Sequence, residues 1–277
     1  MLASRTLLDN RPGWRSPEAL EEYATARGWL DDGERAALLS VADEVRGQPV
    51  LDIGVGGGRT TSLLKLISDD YLGVDYTPEM VEMARAAHPG ADIRVADACD
   101  LAGLPSDHFA LVVFSFNGID SVDRAGRVRA LAEIARVTRP GGVAVISTLN
   151  KDGPSFRLRP WQIVAMRTGA HRLPLALLSL PLRIGRHVRS FQNWSRLRRE
   201  GEDHPGWAMA PIPAFGFSML VHYTTLPQVI DDVGAAGLML ETALANDGAP
   251  LTAASDTSGV HWFQLVLRRP TGAVPIA

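Results

Sequence analysis

The sequence is poor in cysteine and in long apolar runs, and both absences exclude classes of protein. Among its 277 residues there is one cysteine, Cys99, so no intrachain disulfide can form. No Cys-x-x-Cys pair or histidine cluster has the spacing of a zinc site, and we therefore expect no metal. The first ten residues, MLASRTLLDN, lack the continuous apolar stretch of a secretory leader. A reducing cytoplasm is the expected location.

Positive charge is also scarce, except in one segment. The chain has 28 Lys+Arg against 31 Asp+Glu, and its net charge of −3 gives no general attraction to nucleic acid, which we do not expect as a partner. Residues 150–221, however, contain eleven lysines and arginines against four acidic residues. This segment therefore carries +7, which leaves −10 for the rest of the chain, and it needs an interpretation of its own.

The order of strand and helix patterns predicts a Rossmann-like, doubly wound α/β fold with a seven-stranded sheet. Five apolar strand patterns alternate with helical patterns between residues 50 and 149, and two more follow residue 222. The alternation breaks in a stretch rich in Pro, Arg and Trp. We therefore predict an N-terminal helical cap (1–49), a cofactor-binding core (50–149), an inserted lid (150–221) and the remainder of the core (222–277).

The strongest local signal is the glycine-rich sequence VLDIGVGGGRTT at residues 50–61, where a strand pattern runs into a turn. Glycines let the backbone approach a ligand closely. The glycines of interest are Gly54, Gly56 and Gly58. Arg59 stands where a dinucleotide-binding fingerprint has a third glycine or alanine, and the Gly-Lys-Ser/Thr of a phosphate-binding loop is missing. Asp75 follows Gly54 by 21 positions, the spacing at which an acidic residue meets a ribose in such folds.

This stretch resembles motif I of the class I S-adenosylmethionine-dependent methyltransferases, in particular their small-molecule, type 11-like members. The resemblance continues in LGVDYTPEMVEMAR and RVADACDL and resumes at 222–267, although Ala110 departs from the family's aspartate. It implies S-adenosylmethionine as the cofactor, with Asp75 on the ribose hydroxyls and Asp97 on the adenine amino group. The expected cofactor-binding residues are Asp52, Gly54, Gly56, Gly58, Asp75, Tyr76, Met80, Asp97, Ala98 and Ser115.

Few residues are obligatory for methyl transfer, because holding the acceptor in line with the methyl group supplies much of the acceleration. An Asn/Asp-Pro-Pro-Tyr motif after the fourth strand would indicate methylation of bases or of glutamine, and residues 115–118 read Ser-Phe-Asn-Gly instead. Asn117 could orient the acceptor or cap a turn. His222, where the insertion rejoins the core, is the best candidate for a general base. Tyr23 could close the cleft over the acceptor or simply pack in its helix.

The expected function is transfer of a methyl group from S-adenosylmethionine to an oxygen or a nitrogen of a small molecule. The basic segment 150–221 is interpreted as a lid whose arginines face solvent or an anionic acceptor. Its apolar run 173–182 is too short to cross a membrane but could lie on one. Two alternatives stay open: a methyltransferase acting on a lipid- or saccharide-linked acceptor at a membrane surface, and a non-catalytic, cofactor-binding regulatory or scaffold protein. The sequence does not indicate an oligomeric state.

Overall fold

A helical segment precedes the first strand in the computed structural model, which describes residues 9–25, 28–167 and 180–272. It contains three helices: α1 (Arg11–Trp14), α2 (Pro17–Thr25) and α3 (Asp32–Ala42). Helix α3 begins after Asp31 because the Asp31 carboxylate accepts a hydrogen bond of 2.7 Å from the backbone N–H of Glu34. Helices therefore make up most of the described chain ahead of the first strand.

Strands and helices alternate through the central part of the chain. In chain order they are β1 (Val50–Ile53), α4 (Thr61–Ile67), β2 (Tyr71–Asp75), α5 (Pro78–Ala87), β3 (Asp92–Val95), β4 (Phe109–Phe114), a 3₁₀ turn (Gly118–Ser121), α6 (Arg124–Val137) and β5 (Thr138–Leu149). Strands β1 and β4 are buried along their whole length. Their unbroken apolar runs therefore belong to strands covered on both faces of a parallel sheet.

The next segment folds as helices followed by a small second sheet. Its described elements are α7 (Pro154–Arg157), α8 (Pro160–Arg167), α9 (Leu180–Glu200), β6 (Glu202–Asp203), β7 (Trp207–Pro211) and β8 (Leu220–Thr224). Strands β6, β7 and β8 form an antiparallel sheet in that order. The predicted boundary at residue 222 thus falls inside a strand, and most of the apolar run 173–182 lies outside the described residues. No helix in the described ranges is long and apolar enough to span a membrane.

The chain then completes the main sheet with α10 (Leu226–Ala235), β9 (Met239–Ala245), β10 (Pro250–Leu251) and β11 (Trp262–Arg268). The main sheet has the strand order β10-β9-β11-β5-β4-β1-β2-β3. Strands β1 to β5 pair in parallel, and β11 is antiparallel to both β5 and β9. The predicted Rossmann-like fold is confirmed. The seven expected strands are present, and β10 adds a two-residue strand that is too short to show a period in the sequence.

Buried apolar side chains cover both faces of the main sheet. One cluster includes Ile134 of α6 and Val229 of α10, and the other includes Val41 of α3, Leu64 of α4 and Val81 of α5. Because helices occupy both faces, the open part of the sheet is the edge where the parallel strands end. Ligands bind at that edge in open α/β folds, and the glycine-rich loop after β1 lies there.

Candidate active site

A cleft opens at the carboxyl edge of the main sheet. It lies beside the ends of β1, β2 and β4, where ligands bind in open α/β folds. Nine of the residues expected from the sequence line it: Tyr23, Gly54, Gly56, Asp75, Tyr76, Met80, Asp97, Ala98 and Ser115. The sequence motifs therefore converge on one cavity, although they are spread over almost a hundred positions.

The glycine-rich loop forms the floor of this cleft. Gly54 and Gly56 have φ angles of +68° and +54°, in the left-handed region that favours glycine. A Cβ atom added at Gly56 would lie 2.9 Å from the ring of Tyr23, so a larger residue would clash with helix α2. The loop is therefore built from glycine both for its backbone conformation and for close approach from above.

Asp75 ties the end of β2 to the glycine-rich loop. Its carboxylate accepts one hydrogen bond from the backbone N–H of Gly56, at 3.0 Å, and another from that of Thr77, at 2.8 Å. Burial raises the pKa of Asp75, and the two backbone hydrogen bonds oppose that shift. The hydroxyl of the adjacent Tyr76 is buried without a partner. A fixed acidic group and an unpartnered hydroxyl on the cleft wall are suited to a ligand that carries several hydroxyl and amino groups.

The N-terminal helices close over this cleft. Arg11 of α1 lies over the ring of Tyr76, with its guanidinium carbon 5.2 Å from the ring centre and one nitrogen 4.0 Å from the Asp97 carboxylate. Trp14 stands edge-on to Tyr23, with 5.7 Å between ring centres, and both rings line the cleft. Burial raises the pKa of the Tyr23 hydroxyl, which therefore stays protonated at neutral pH.

Arg59 is a residue of this site to which the sequence analysis gave no role. Its guanidinium donates two hydrogen bonds to the carboxylate of Glu34, at 2.8 and 2.7 Å, and one to the hydroxyl of Ser115, at 3.0 Å. It also lies 4.8 Å from the ring centre of Phe116. The sequence did single out Arg59, since it stands where a dinucleotide-binding fingerprint has a third glycine or alanine. Its partner Glu34, however, lies 25 positions earlier on α3.

Two residues assigned to the cofactor do not line the cleft. The Asp52 carboxylate accepts hydrogen bonds from the hydroxyls of Thr60, at 2.7 Å, and Tyr71, at 2.9 Å. Burial raises the pKa of Asp52 to about 6, and these bonds moderate the shift. Asp52 thus joins β1, β2 and the start of α4 instead of facing a ligand. The carbonyl oxygen of Gly58 lies 2.8 Å from Nε2 of His88. Both assignments stay predictions.

The two residues assigned to catalysis are also absent from the cleft lining. His222 lies on β8 of the second sheet, fully buried, with its ring stacked on Trp207 at 5.5 Å. Burial, with the nearby Arg127 and Arg124, lowers the pKa of His222 to about 2. A general base needs a pKa near the operating pH, so this burial does not support His222 as the base, and its assignment stays a prediction. Asn117 has a φ of +63° and a buried, unpartnered side-chain oxygen. Its role stays a prediction.

We expect His222→Phe to make the protein less sensitive to acid. The folded state keeps His222 neutral down to a pKa of about 2, whereas the unfolded state takes up a proton below about pH 6.5. The free energy of unfolding therefore decreases as the pH falls below 6.5, by about 2 kcal/mol between pH 6.5 and pH 5 from this group. Phenylalanine keeps the stacked ring and removes both unpartnered nitrogens. Urea unfolding at both pH values would measure the difference.

A matched control is available on the same indole. His204 stacks on Trp207 at 4.1 Å but is half-exposed, so His204→Phe alters the same stack without removing a buried imidazole. His222→Phe should also leave methyl transfer at neutral pH essentially unchanged. A loss of about 10²–10⁴-fold in turnover would instead restore His222 as a general base.

Comparison with known proteins agrees with this geometry. The family model for a methyltransferase domain matches residues 51–146, about a third of the chain. A protein of Mycolicibacterium smegmatis named "Probable S-adenosylmethionine-dependent methyltransferase" is 35% identical over 112 residues, which cover 40% of this chain and 42% of that protein. A demethylmenaquinone methyltransferase of Renibacterium salmoninarum is 28% identical over 160 residues, which cover 55% of this chain and 65% of that protein. The chain thus spans about half the length of the curated relatives it matches.

Solved structures share the fold. The 1,6-didemethyltoxoflavin-N1-methyltransferase of Burkholderia thailandensis, solved with its substrate and S-adenosylhomocysteine, has a TM-score of 0.55 at 15% identity. The match covers 94% of this chain and 87% of that one. The expected cofactor, S-adenosylmethionine, is confirmed at the level of the family. Residues 51–146 thus carry a methyltransferase domain, and the fold is shared with S-adenosylmethionine-dependent methyltransferases of known structure.

Proposed function

We propose that this chain is an enzyme that transfers the methyl group of S-adenosylmethionine to an oxygen or a nitrogen of a small, planar and largely apolar molecule. The observation that carries this proposal is the composition of the cleft. One cavity is lined by eight of the ten residues expected to bind the cofactor and by the aromatic rings of Trp14, Tyr23 and Phe116. Such rings favour flat, apolar ligands.

The residues of the cleft fit S-adenosylmethionine. Gly54 and Gly56 let the loop turn at positive φ, and the rings of Phe114 and Tyr23 approach it where larger side chains would lie. The carboxylates of Asp75 and Asp97 make the wall acidic, which suits a cationic ligand. The buried hydroxyl of Tyr76 lacks a protein partner and is free to meet a polar group. When bound, the cofactor supplies an electrophilic methyl group on a positively charged sulfur.

Catalysis by this chain would depend mainly on orientation. The described lining contains no histidine, lysine or cysteine, and the Tyr23 hydroxyl is held protonated by burial. The aromatic rings of the lining therefore position an acceptor and exclude water from it. Holding two reactants in line can supply about 7–11 kcal/mol of the acceleration. Acceptors that are already nucleophilic, such as phenolates and neutral amines, fit this arrangement.

The cleft does not favour an anionic acceptor. Arg59 is the only basic residue in the described lining, and the Glu34 carboxylate neutralises it. No described residue of the segment 150–221 lines the cavity. That segment instead contacts the cleft wall from behind, where Phe215 packs edge-on against Trp14 at 5.8 Å. An apolar acceptor is in line with the relative from Renibacterium salmoninarum, which is named for methylating demethylmenaquinone.

The experiment that tests this function uses S-adenosylmethionine with a labelled methyl group and two panels of acceptors. One panel contains planar phenols and aromatic amines, and the other contains small aliphatic carboxylic acids. We expect label transfer to members of the first panel, read by mass spectrometry of the product. Transfer confined to the acids would contradict the proposed acceptor class. Cofactor binding without transfer to either panel would favour the non-catalytic alternative.

We expect Trp14→Ala to lower kcat/KM for the acceptor about 100-fold and to leave the Kd for the cofactor nearly unchanged. Trp14 holds Tyr23 on one side and Phe215 on the other, so its loss lets the acceptor shift, and a displacement of about 1 Å can cost 10²-fold in rate. Trp14→Phe keeps an aromatic ring, and its kcat/KM for the acceptor should fall much less. Equal losses in both variants, or a parallel loss of cofactor affinity, would contradict this role.

A further inference from the structure

Three apolar side chains form an exposed patch on helices α8 and α9. Trp161 of α8 is 55% exposed, and Val188 and Phe191 of α9 are 48% and 51% exposed. The rings of Trp161 and Phe191 both contact the buried Trp194, with ring centres 5.4 and 6.0 Å away. Val188 lies one helical turn before Phe191 on the same side of α9. We call these three residues the aromatic patch.

The aromatic patch differs from the other exposed apolar residues of the described chain. Large apolar residues with similar exposure elsewhere lie apart from one another in the chain, namely Trp29 in the loop before α3, and Leu39, Leu66, Val95, Val128 and Met239 on separate helices and strands. Single exposed apolar residues are normal on a protein surface, whereas a contiguous group marks a contact site. The aromatic patch is therefore a candidate for docking.

The helix that carries this patch is also strongly basic. Helix α9 contains six arginines and one acidic residue, Glu200, at its last position. Arg189, Arg196 and Arg199 are exposed. Arg198 lies over the ring of Trp194 at 4.6 Å, so one guanidinium sits directly beside the aromatic patch. Positive charge and exposed apolar rings thus occupy one surface, while the rest of the chain outside 150–221 carries −10.

We propose that α8 and α9 dock this protein on an anionic lipid bilayer. The aromatic patch enters the boundary between headgroups and acyl chains, and the exposed Arg189, Arg196 and Arg199 meet the lipid phosphates. A helix with arginines beside Trp, Phe and aliphatic side chains has the composition of helices that lie in this interface. Each basic residue near an anionic membrane adds attraction, and the acidic remainder of the chain orients this face toward it.

Two other occupants fit the surface less well. A second copy of the chain would bring two sets of arginines together, and like charges across an interface oppose association. Single-stranded RNA would match the arginines and the rings of Trp161 and Phe191, but the exposed Val188 gives it no stacking surface. A bilayer contacts the basic and the apolar groups at once. Docking on a bilayer does not depend on whether the protein transfers methyl groups.

The test measures co-sedimentation of the full chain with phosphatidylcholine vesicles that do or do not contain phosphatidylglycerol. We expect binding to the anionic vesicles only, and weaker binding at high salt because ions screen the attraction. Phe191→Ser should lower the partition coefficient about tenfold through lost apolar contact. Arg199→Gln should lower it about fivefold through lost charge.

Helix α6 offers a matched control, because Val128 is 52% exposed and lies next to the exposed Arg129. The double variant Val128→Ser/Arg129→Gln removes the same kinds of groups on another face and should bind like the unmodified protein. The inference is overturned by absent binding, by equal binding to neutral vesicles, or by equal losses in the α6 control. Two other outcomes overturn it if vesicle binding is unaffected. In one, these α9 variants weaken binding to a single-stranded RNA; in the other, they weaken a dimer seen by light scattering.

Discussion

Asp75→Ala is expected to lower the affinity for S-adenosylmethionine by about 10²–10⁴-fold. Asp75 is the acid expected to bond both ribose hydroxyls, and charge-assisted hydrogen bonds contribute about 1.5–3 kcal/mol each. It also fixes the loop, because its carboxylate accepts the backbone N–H groups of Gly56 and Thr77. Removing the carboxylate therefore takes away both the ligand contact and the support of the glycine-rich floor. Isothermal titration calorimetry with the cofactor measures the loss directly.

Two further variants separate these contributions. Asp75→Asn keeps the size and one acceptor oxygen, so it can still support the loop, and we expect an intermediate loss of affinity. Asp70→Ala changes an exposed acid just before the start of the same strand and should leave the affinity unchanged. An Asp75→Ala protein that unfolds normally in denaturant and still binds the cofactor with full affinity would show that the nucleotide lies elsewhere.

The parts of this site that the sequence predicted are those fixed by the backbone. Gly54, Gly56 and Asp75 lie in or directly after strands, and strands of a parallel sheet end at a common edge whatever surrounds them. Their convergence in one cleft follows from the order of elements alone. The same reasoning predicted the doubly wound fold class, because strands that alternate with helices form a parallel sheet.

The direction of individual side chains could not be obtained in this way. Asp52 lies on a strand buried on both faces, so its position in the motif does not say which face its carboxylate takes. The hydroxyls of Thr60 and Tyr71, which bind it, come from elements that follow it in the chain. His222 lies near the predicted junction, but it belongs to a second sheet whose short strands carried no clear period. For Asp52 and for His222, contacts with other segments of the chain determine where the side chain lies.

The pairing of Glu34 with Arg59 shows the same limit. Glu34 fits the first turn of a helix, where acidic residues are favoured, and nothing in its neighbourhood signals a buried partner. The structure places both side chains in the interior, where they join helix α3 to the glycine-rich loop. Because this contact holds the wall of the cleft, it should be among the most sensitive positions of the molecule.

We expect Arg59→Met and Glu34→Gln each to lower the free energy of unfolding by about 3–5 kcal/mol. Each change leaves one charge buried without its partner, since the side chains of Glu34 and Arg59 are 0% and 6% exposed. In a domain of this size that loss corresponds to a decrease in Tm of about 6–20 °C. The double variant Glu34→Gln/Arg59→Met should lose much less free energy of unfolding than the two single variants together, because it removes both charges. Differential scanning calorimetry on the three variants provides the double-mutant cycle.

An exposed ion pair supplies the comparison. Arg46 and Asp43 are 2.8 Å apart on the surface, and Arg46→Met should change the free energy of unfolding by less than about 1 kcal/mol. The Arg59→Met variant should also bind the cofactor less well, since Ser115 and Phe116 on the cleft wall lose the guanidinium that they contact. Additive losses in the double variant would mean that Glu34 and Arg59 act independently, and the buried pair would then not be what holds α3 to the glycine-rich loop.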